Sequence, residues 1–287
     1  MVCCKIYDKI RCGERKMCEK TYDCLVAAGT TEARAAIMAL CNAGYHVLAT
    51  VATELGAKVL QDLKSIYEDS LDIEIGRKDA QGFAECIQKS QIKMIIDATH
   101  PFAKEVTDTL KAVCAHCENE GIAVGYIRYL REMLDYDYTK IIRVPDAVAA
   151  ANTLSTMPGR FLLTTGANTI DVYMNTISDF NRRGFVRVLD TKVSIERCEA
   201  FGVADTHVIA KNPPFSEADN LSLLKNYNIQ ILVSKDSGKS GGLPEKINAA
   251  KKLDIPVILI QRPEDAGGVC TPDTLMKEVK RQWIKES

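Results

Sequence analysis

The chain has 287 residues and a mass of 31.7 kDa, with 37 Lys and Arg against 38 Asp and Glu, a net charge of −1. That balance argues against a dedicated nucleic-acid binder, which carries a basic excess, and no run reaches the ~18 apolar residues of a membrane span. At ~150 residues per domain the length suggests about two domains, and a 46% hydrophobic content is enough for a core in each.

Residues 1–20 are polar, carry Cys3, Cys4, Cys12 and Cys18, and have no periodic pattern. They contain no apolar stretch of the export-signal kind, so a cytoplasmic protein with reduced thiols is expected. The chain holds 11 cysteines, an odd number. Neither the 3/4/12/18 spacing nor the Cys114-x-x-Cys117 pair, with no second pair nearby, matches a four-ligand site, and no metal is expected.

From Tyr22 onward, strand-like runs alternate with helical patterns. Strands are predicted over 22–27, 45–51, 71–75, 92–98 and 122–128, with helices over 31–43, 53–66, 79–90 and 103–119. A second series has strands over 138–144, 160–165, 185–189, 206–210, 230–234 and 256–261. Its helices fall over 146–155, 168–177, 192–201, 216–227, 242–253 and 272–285. Unbroken Val, Ile and Leu strands separated by helices indicate parallel sheets covered on both faces. The expected fold class is α/β, with two Rossmann-like, doubly wound, mostly parallel sheets flanking a cleft. The polar, aromatic stretch 131–140 is placed as the hinge. It divides the chain into a Cys-rich extension (1–20), a first Rossmann-like domain (21–135) and a second α/β domain (136–287).

Ligands in such folds sit at the carboxyl ends of the strands, so the turns there are the candidates. The first strand ends in Gly29-Thr30-Thr31-Glu32-Ala33-Arg34. Its single glycine and its hydroxyls fit a capped βα turn or a phosphate cradle at a helix N-terminus. At the end of the second strand, where an acid would hold an adenosine ribose, the sequence offers Thr50, Val51, Ala52, Thr53 and Glu54, so NADH and NADPH both stay open. The fourth strand runs into Asp97-Ala98-Thr99-His100-Pro101-Phe102. His100 suits a proton donor near neutral pH, and equally a helix cap or a core histidine. Thr164-Thr165-Gly166 forms another turn able to hold an anion. Lys235-Asp236-Ser237-Gly238-Lys239-Ser240-Gly241-Gly242 has the composition of a phosphate loop without the P-loop spacing, which excludes a P-loop ATPase. Arg34, Arg128, Arg131, Lys211, Lys235 and Arg262 supply a basic rim for a polyanionic small molecule.

GTTEAR after the first strand, IIDATHPFA after the fourth, FLLTTG in the second half, PPFS at 213–216 and LVSKDSGKSGGLPEKINAAKKLDIPVILIQRP together resemble the precorrin-6A reductase family, including its cobalt-precorrin-6A branch. The resemblance runs from about 22 to about 285 in the same order. It implies a cofactor, NADPH or NADH, and hydride transfer to a double bond of a corrin precursor, a tetrapyrrole with many carboxylates, in cobalamin biosynthesis. Carried over by motif, Gly29, Thr30, Thr31, Glu32, Arg34, Thr50, Asp97, Thr99, Pro101, Thr165 and Gly166 are placed against the cofactor. Lys235, Ser237, Gly238, Gly241 and Arg262 are placed against the substrate. His100 is the expected proton donor, followed by Tyr126 or Tyr129 and bulk water.

Two departures stand out. Pro213 occupies the place of a family glycine and cannot take a positive φ, so that turn is expected to differ locally. Residues 1–20 have no counterpart and are assigned no function. The competing readings are an S-adenosylmethionine-dependent methyltransferase of the same pathway and a non-catalytic two-domain binding protein. No nucleic-acid or membrane partner is expected, and the oligomeric state stays open.

Overall fold

The structure, a computed structural model, describes residues 20–130, 134–263 and 268–284. The cysteines of the N-terminal extension and Arg131 of the basic rim lie outside the described residues.

The first sheet contains β1 (Cys24–Ala27), β2 (Val47–Val51), β3 (Leu71–Ile75), β4 (Met94–Asp97) and β5 (Gly125–Arg128), all parallel, in the order β3-β2-β1-β4-β5. The helices between them are α1 (Thr31–Asn42), α2 (Glu54–Lys58), α3 (Gln61–Ile66), α4 (Ala80–Ser90) and α5 (Lys104–Asn119). The strands are buried on both faces because helices cover both: Val26 and Ile96 face one core, Leu25 and Ile95 the other.

The second half continues with β6 (Ile141–Val144), α6 (Ala147–Ser155), β7 (Phe161–Leu163), α7 (Ile170–Thr176), α8 (Phe180–Arg183), β8 (Gly184–Val188) and α9 (Lys192–Ala200). After these come β9 (Val208–Ala210), α10 (Glu217–Asn226), β10 (Ile231–Lys235), α11 (Leu243–Lys252), β11 (Val257–Ile260) and α12 (Pro272–Ile284). This sheet is parallel, in the order β6-β11-β10-β7-β8-β9. Each strand overlaps a stretch marked by the sequence. One predicted helix is two: the 53–66 segment breaks at Val59-Leu60, where Gly56 and β-branched Val59 weaken the helix and Leu60 turns fully into the core. The α8 turn is too short to leave a periodic signal.

The five strands β3-β2-β1-β4-β5 and the five strands β9-β8-β7-β10-β11 follow the same order, with the first strand of each series in the middle. What lies beyond the fifth strand is exchanged. The sixth place of the second sheet is taken by β6, which follows β5 in the chain. Beside β5, Tyr129 forms a parallel bridge with Val269, which follows β11. Leu130 N–H donates to the Val269 carbonyl (2.8 Å), and Val269 N–H donates to that of Arg128 (2.9 Å).

The exchange sets α12 apart from the rest of the expected 136–287 unit. After Val269, α12 packs on the first sheet, not the second: Leu275 and Val279 are fully buried in the core of β1, β2 and α1. Trp283 meets Tyr45 edge-on at 5.2 Å. The amphipathic pattern of 272–285 fixes a helix but not the sheet that it covers.

Candidate active site at the carboxyl ends of the two sheets

At the end of β1 the chain turns through Gly29, whose φ of +115° disfavours any side chain and whose missing Cβ points into open space. Thr30 is the N-cap of α1. Its hydroxyl accepts from Ala33 N–H (3.1 Å) and donates to the Ala98 carbonyl (2.9 Å), tying this turn to the one after β4. The cap satisfies only one of the first-turn N–H groups of α1, and the rest form a positive helix end beside an open glycine. This arrangement fits the phosphates of a dinucleotide. Thr50 lies buried at the end of β2, and its carbonyl accepts from Ala28 N–H (2.8 Å).

The β4 turn is built around Asp97, which is 0% exposed. Its carboxylate accepts from Thr99 N–H (3.1 Å), Thr99 Oγ1 (2.6 Å), Thr107 Oγ1 on α5 (2.7 Å), Tyr126 OH (2.9 Å) and Arg128 Nη1 (2.8 Å). Arg128 is its register neighbour on β5, is 5% exposed, and also donates to the Thr99 carbonyl (3.1 Å). A buried carboxylate so fully paired is a fixed internal anchor for the Thr99-His100-Pro101 turn. Asp97 and the Thr99 hydroxyl, expected against the cofactor, are thus engaged inside the turn, and the Tyr126 hydroxyl is engaged with Asp97. Tyr129, the alternative donor, is buried, and burial followed by Glu32 and Cys270 pushes its phenol up to about 12.

His100 is half-buried, and its Nδ1 accepts from Phe102 N–H (3.2 Å). With Nδ1 as acceptor, the ring is neutral and its Nε2–H is a hydrogen-bond donor; the ring becomes an acid only as the imidazolium, when Nδ1 takes up a proton and gives up the Phe102 contact. Phe102 reaches across to pack against the core of the second sheet, and Lys235 Nζ at the end of β10 sits 5.2 Å from its ring centroid. Burial lowers the pKa of Lys235.

In the second sheet the β7 turn lies beside the β10 turn, because Thr164 N–H and Oγ1 both donate to the Val233 carbonyl (2.9 Å each). Thr165 is buried and Gly166 takes a φ of +77°. In the loop after β10, Ser237 Oγ donates to the Gly241 carbonyl (3.2 Å), and Gly238 has a φ of +65°. The turns at Gly29 and His100 are thus linked by Thr30 to Ala98, those at Thr165 and Lys235 by Thr164 to Val233, and the two sheets by Phe102 to Lys235.

Not every expected residue is brought to it. Arg34 on α1 is paired with Asp62 on α3, its Nη1 and Nη2 donating to the two carboxylate oxygens (2.5 and 2.6 Å). Thr31 Oγ1 donates to Glu32 (3.3 Å). Arg262 pairs with Asp236 (3.1 Å), which offsets its charge. Lys211 is exposed. The Pro213–Pro214 peptide is cis. Phe102, the bridge between the sheets, was legible only as part of the THPF motif. Among the described residues no group of three or more His, Cys, Asp or Glu is arranged to hold a metal ion, and no helix is long and apolar enough to cross a membrane. Cys114 and Cys117 are buried free thiols on α5.

The sequence matches the family model described as "Precorrin-6x reductase CbiJ/CobK" over residues 23–280. A cobalt-precorrin-6A reductase of Priestia megaterium is 33% identical over 241 residues, covering 84% of this chain and 90% of the relative. One of Methanothermobacter thermautotrophicus is 34% identical over 244 residues, covering 84% and 76%. A precorrin-6A reductase of Rhodococcus erythropolis is 30% identical over 245 residues, covering 83% and 88%. Among solved structures, CobK precorrin-6A reductase superposes with a TM-score of 0.71 at 24% identity, covering 91% of this chain and 97% of that one. This last likeness concerns the fold.

Proposed function

The chain belongs to the precorrin-6x reductase family, and from that premise we propose that it reduces precorrin-6A, or its cobalt complex, to the 6B dihydro product in cobalamin biosynthesis, with NADPH or NADH as the reductant. The observation that supports this reading is the chain of contacts from the phosphate-compatible Gly29 turn through Thr30 and Ala98 to the His100 turn, and from Phe102 to Lys235 of the glycine-rich, cationic loop. The names of the relatives supply the substrate. A methyltransferase or a pure binding protein is not favoured, because the match over 23–280 is to reductases.

A bound reduced nicotinamide supplies the hydride. The chain's own residues hold and orient the reactants. Gly29, Thr30 and the first-turn backbone N–H groups of α1, those of Thr31 and Glu32 among them, take the phosphates, and Thr50, Pro101, Thr165 and Gly166 border the rest of the nucleotide. Lys235, Ser237, Gly238 and Gly241 take acidic substituents of the macrocycle, with Arg262 behind them, partly neutralised by Asp236. Asp97 and Arg128 hold the turn that presents His100, whose imidazolium form, once Nδ1 has taken up a proton from solvent, delivers the Nε2 proton to the carbon next to the one that receives hydride and returns to the neutral ring. Arg34 and Tyr126 have no direct part. The two units divide at the 131–140 hinge, with 269–284 returning to the first. A cytoplasmic location goes with the reading, since that compartment keeps thiols reduced.

The test is anaerobic incubation with metal-free and cobalt-bearing precursor, each with NADPH and NADH. Loss of nicotinamide absorbance matched to formation of the dihydro ring is the expected outcome in at least one of the pairings. No oxidation of nucleotide in any of them overturns the reading. Gly29→Leu is expected to weaken nucleotide binding alone, and Lys235→Ala macrocycle binding alone. Near-normal turnover of His100→Ala across the pH range removes the proton-donor role.

A further inference from the structure

Continuing the register Val233–Leu163–Val186 one residue toward the carboxyl ends brings Ser234, Thr164 and Arg187 into one row on the face covered by α10 and α11. Neighbouring strands are ~4.8 Å apart, so the row spans roughly 10 Å. Two cations border it. Arg187 is 6% exposed; its Nη1 donates to Asn220 Oδ1 (2.8 Å), and its guanidinium lies 4.1 Å from the Phe215 ring centroid. Lys246, on the first turn of α11, is 7% exposed; its Nζ donates to the Gly241 carbonyl (3.2 Å) and reaches Ser234 Oγ at 3.5 Å. Neither forms an ion pair with any described residue.

Burial lowers the pKa of Arg187 to about 10, with Asp219 opposing. Burial, with the charge of Arg187, lowers that of Lys246 to about 7, with Glu245 opposing. The cations therefore feel each other, and the nearby carboxylates act only at a distance. The fixed charged groups around the row are Arg187 on β8, Asp219 on α10, and Glu245 and Lys246 on α11. Lys235, one residue after Ser234 on β10, alternates to the opposite face, over Phe102. Enclosing two like charges without a counter-ion costs several kcal/mol, and such a cost is characteristic of a binding site.

We infer that Arg187 and Lys246 form an anion subsite that receives one carboxylate substituent of the macrocycle, over Thr164 and Ser234. The inference rests on the reductase reading for the identity of the acid, and it adds to the glycine-rich loop a deeper pair of ligands on the other side of β10. The entering carboxylate gives Lys246 an ionic partner in place of neutral oxygens, and the amine takes up a proton as the acid binds.

The probe is an octacarboxylate porphyrin, titrated calorimetrically into the intact protein, with NADPH titrated separately as the control for folding. Lys246→Met and Arg187→Met are each expected to weaken porphyrin binding by about tenfold or more, as for loss of a charge-assisted bond. Arg187→Lys keeps most of the affinity, and NADPH binding is unchanged in all three. At about pH 8, runs in buffers of different ionisation enthalpy are expected to show close to one proton taken up per porphyrin bound, an uptake lost in Lys246→Met. Unchanged affinity and unchanged uptake in Lys246→Met overturn the inference, as does failure of the unmodified protein to bind the porphyrin. Should that variant not fold, absence of proton uptake by the unmodified protein overturns it. The two readings fail separately: no turnover with any precursor sinks the reductase assignment, whereas turnover with unaltered binding in the variants sinks only the subsite.

Discussion

The fourth strands of the two sheets, β4 and β10, carry a polar residue near their carboxyl ends, and each faces the fourth residue of the crossover helix that follows. In the first sheet the pair is Asp97 and Thr107 of α5; in the second it is Ser234 and Lys246 of α11. Both places are buried to a similar degree, yet they are completed in opposite ways. Asp97 is met by donors from four residues, Arg128 among them. Lys246 is met by a carbonyl and a distant hydroxyl, with a second cation nearby. A charge whose partners are all internal stiffens a turn; one without a counter-ion is arranged for something that arrives.

The contrast breaks most visibly at Arg128. Arg128→Met strands a buried carboxylate and is expected to cost ~3–5 kcal/mol in denaturant unfolding. Adding Asp97→Asn to it should recover part of the loss, and a double variant as unstable as the sum of the singles contradicts the pairing. Lys246→Met has the reverse sign, gaining ~1–4 kcal/mol near pH 6 because it removes an uncompensated charge. The folded pKa of Lys246 lies below the ordinary 10.5, at about 7. Between those values the unfolded chain holds a proton that the folded one lacks, so stability from this group rises by ~1.4 kcal/mol per pH unit. The advantage of the variant should therefore fade as pH increases toward 10, and a pH-independent difference counts against a depressed pKa.

Thr107→Val takes one donor from Asp97 and should cost ~1.5–3 kcal/mol, the range for a hydrogen bond to a charged group. Tyr126→Phe, at the half-buried margin of the same network, is expected to lose about 1 kcal/mol and to leave kcat little changed; a collapse of kcat would restore Tyr126 as a proton donor. The smallest effect is expected for Arg34→Met, whose partner Asp62 is at the surface. Nucleotide KM should stay level, and a large rise would return Arg34 to the cofactor.

The sheets were legible because buried parallel strands advertise themselves as unbroken apolar runs, and the turns because ligands gather where those runs end. The sequence could not say which groups in a turn look inward. Asp97 and Thr99 sit in the right motif, but register with Arg128 and contact with Thr107 make them scaffold, and both are properties of neighbours far along the chain. Lys246 reads as one lysine of a charged helix, and only packing reveals that its amine is enclosed. The face of α12 was equally silent: its stripe of Leu275 and Val279 suits either core, and the choice follows from the Tyr129–Val269 bridge.

That bridge has a practical bearing on anyone dissecting the enzyme. A cut in the connecting segment after β5 removes α12 from the N-terminal piece and gives the C-terminal piece an apolar helix with nothing to cover. Neither half made this way is a self-sufficient module, and fragments expressed apart should clump, or recover only when mixed. A circularly rearranged gene that starts near residue 134 and joins the old termini through a spacer keeps both returning segments, and is the better route to moving one half against the other.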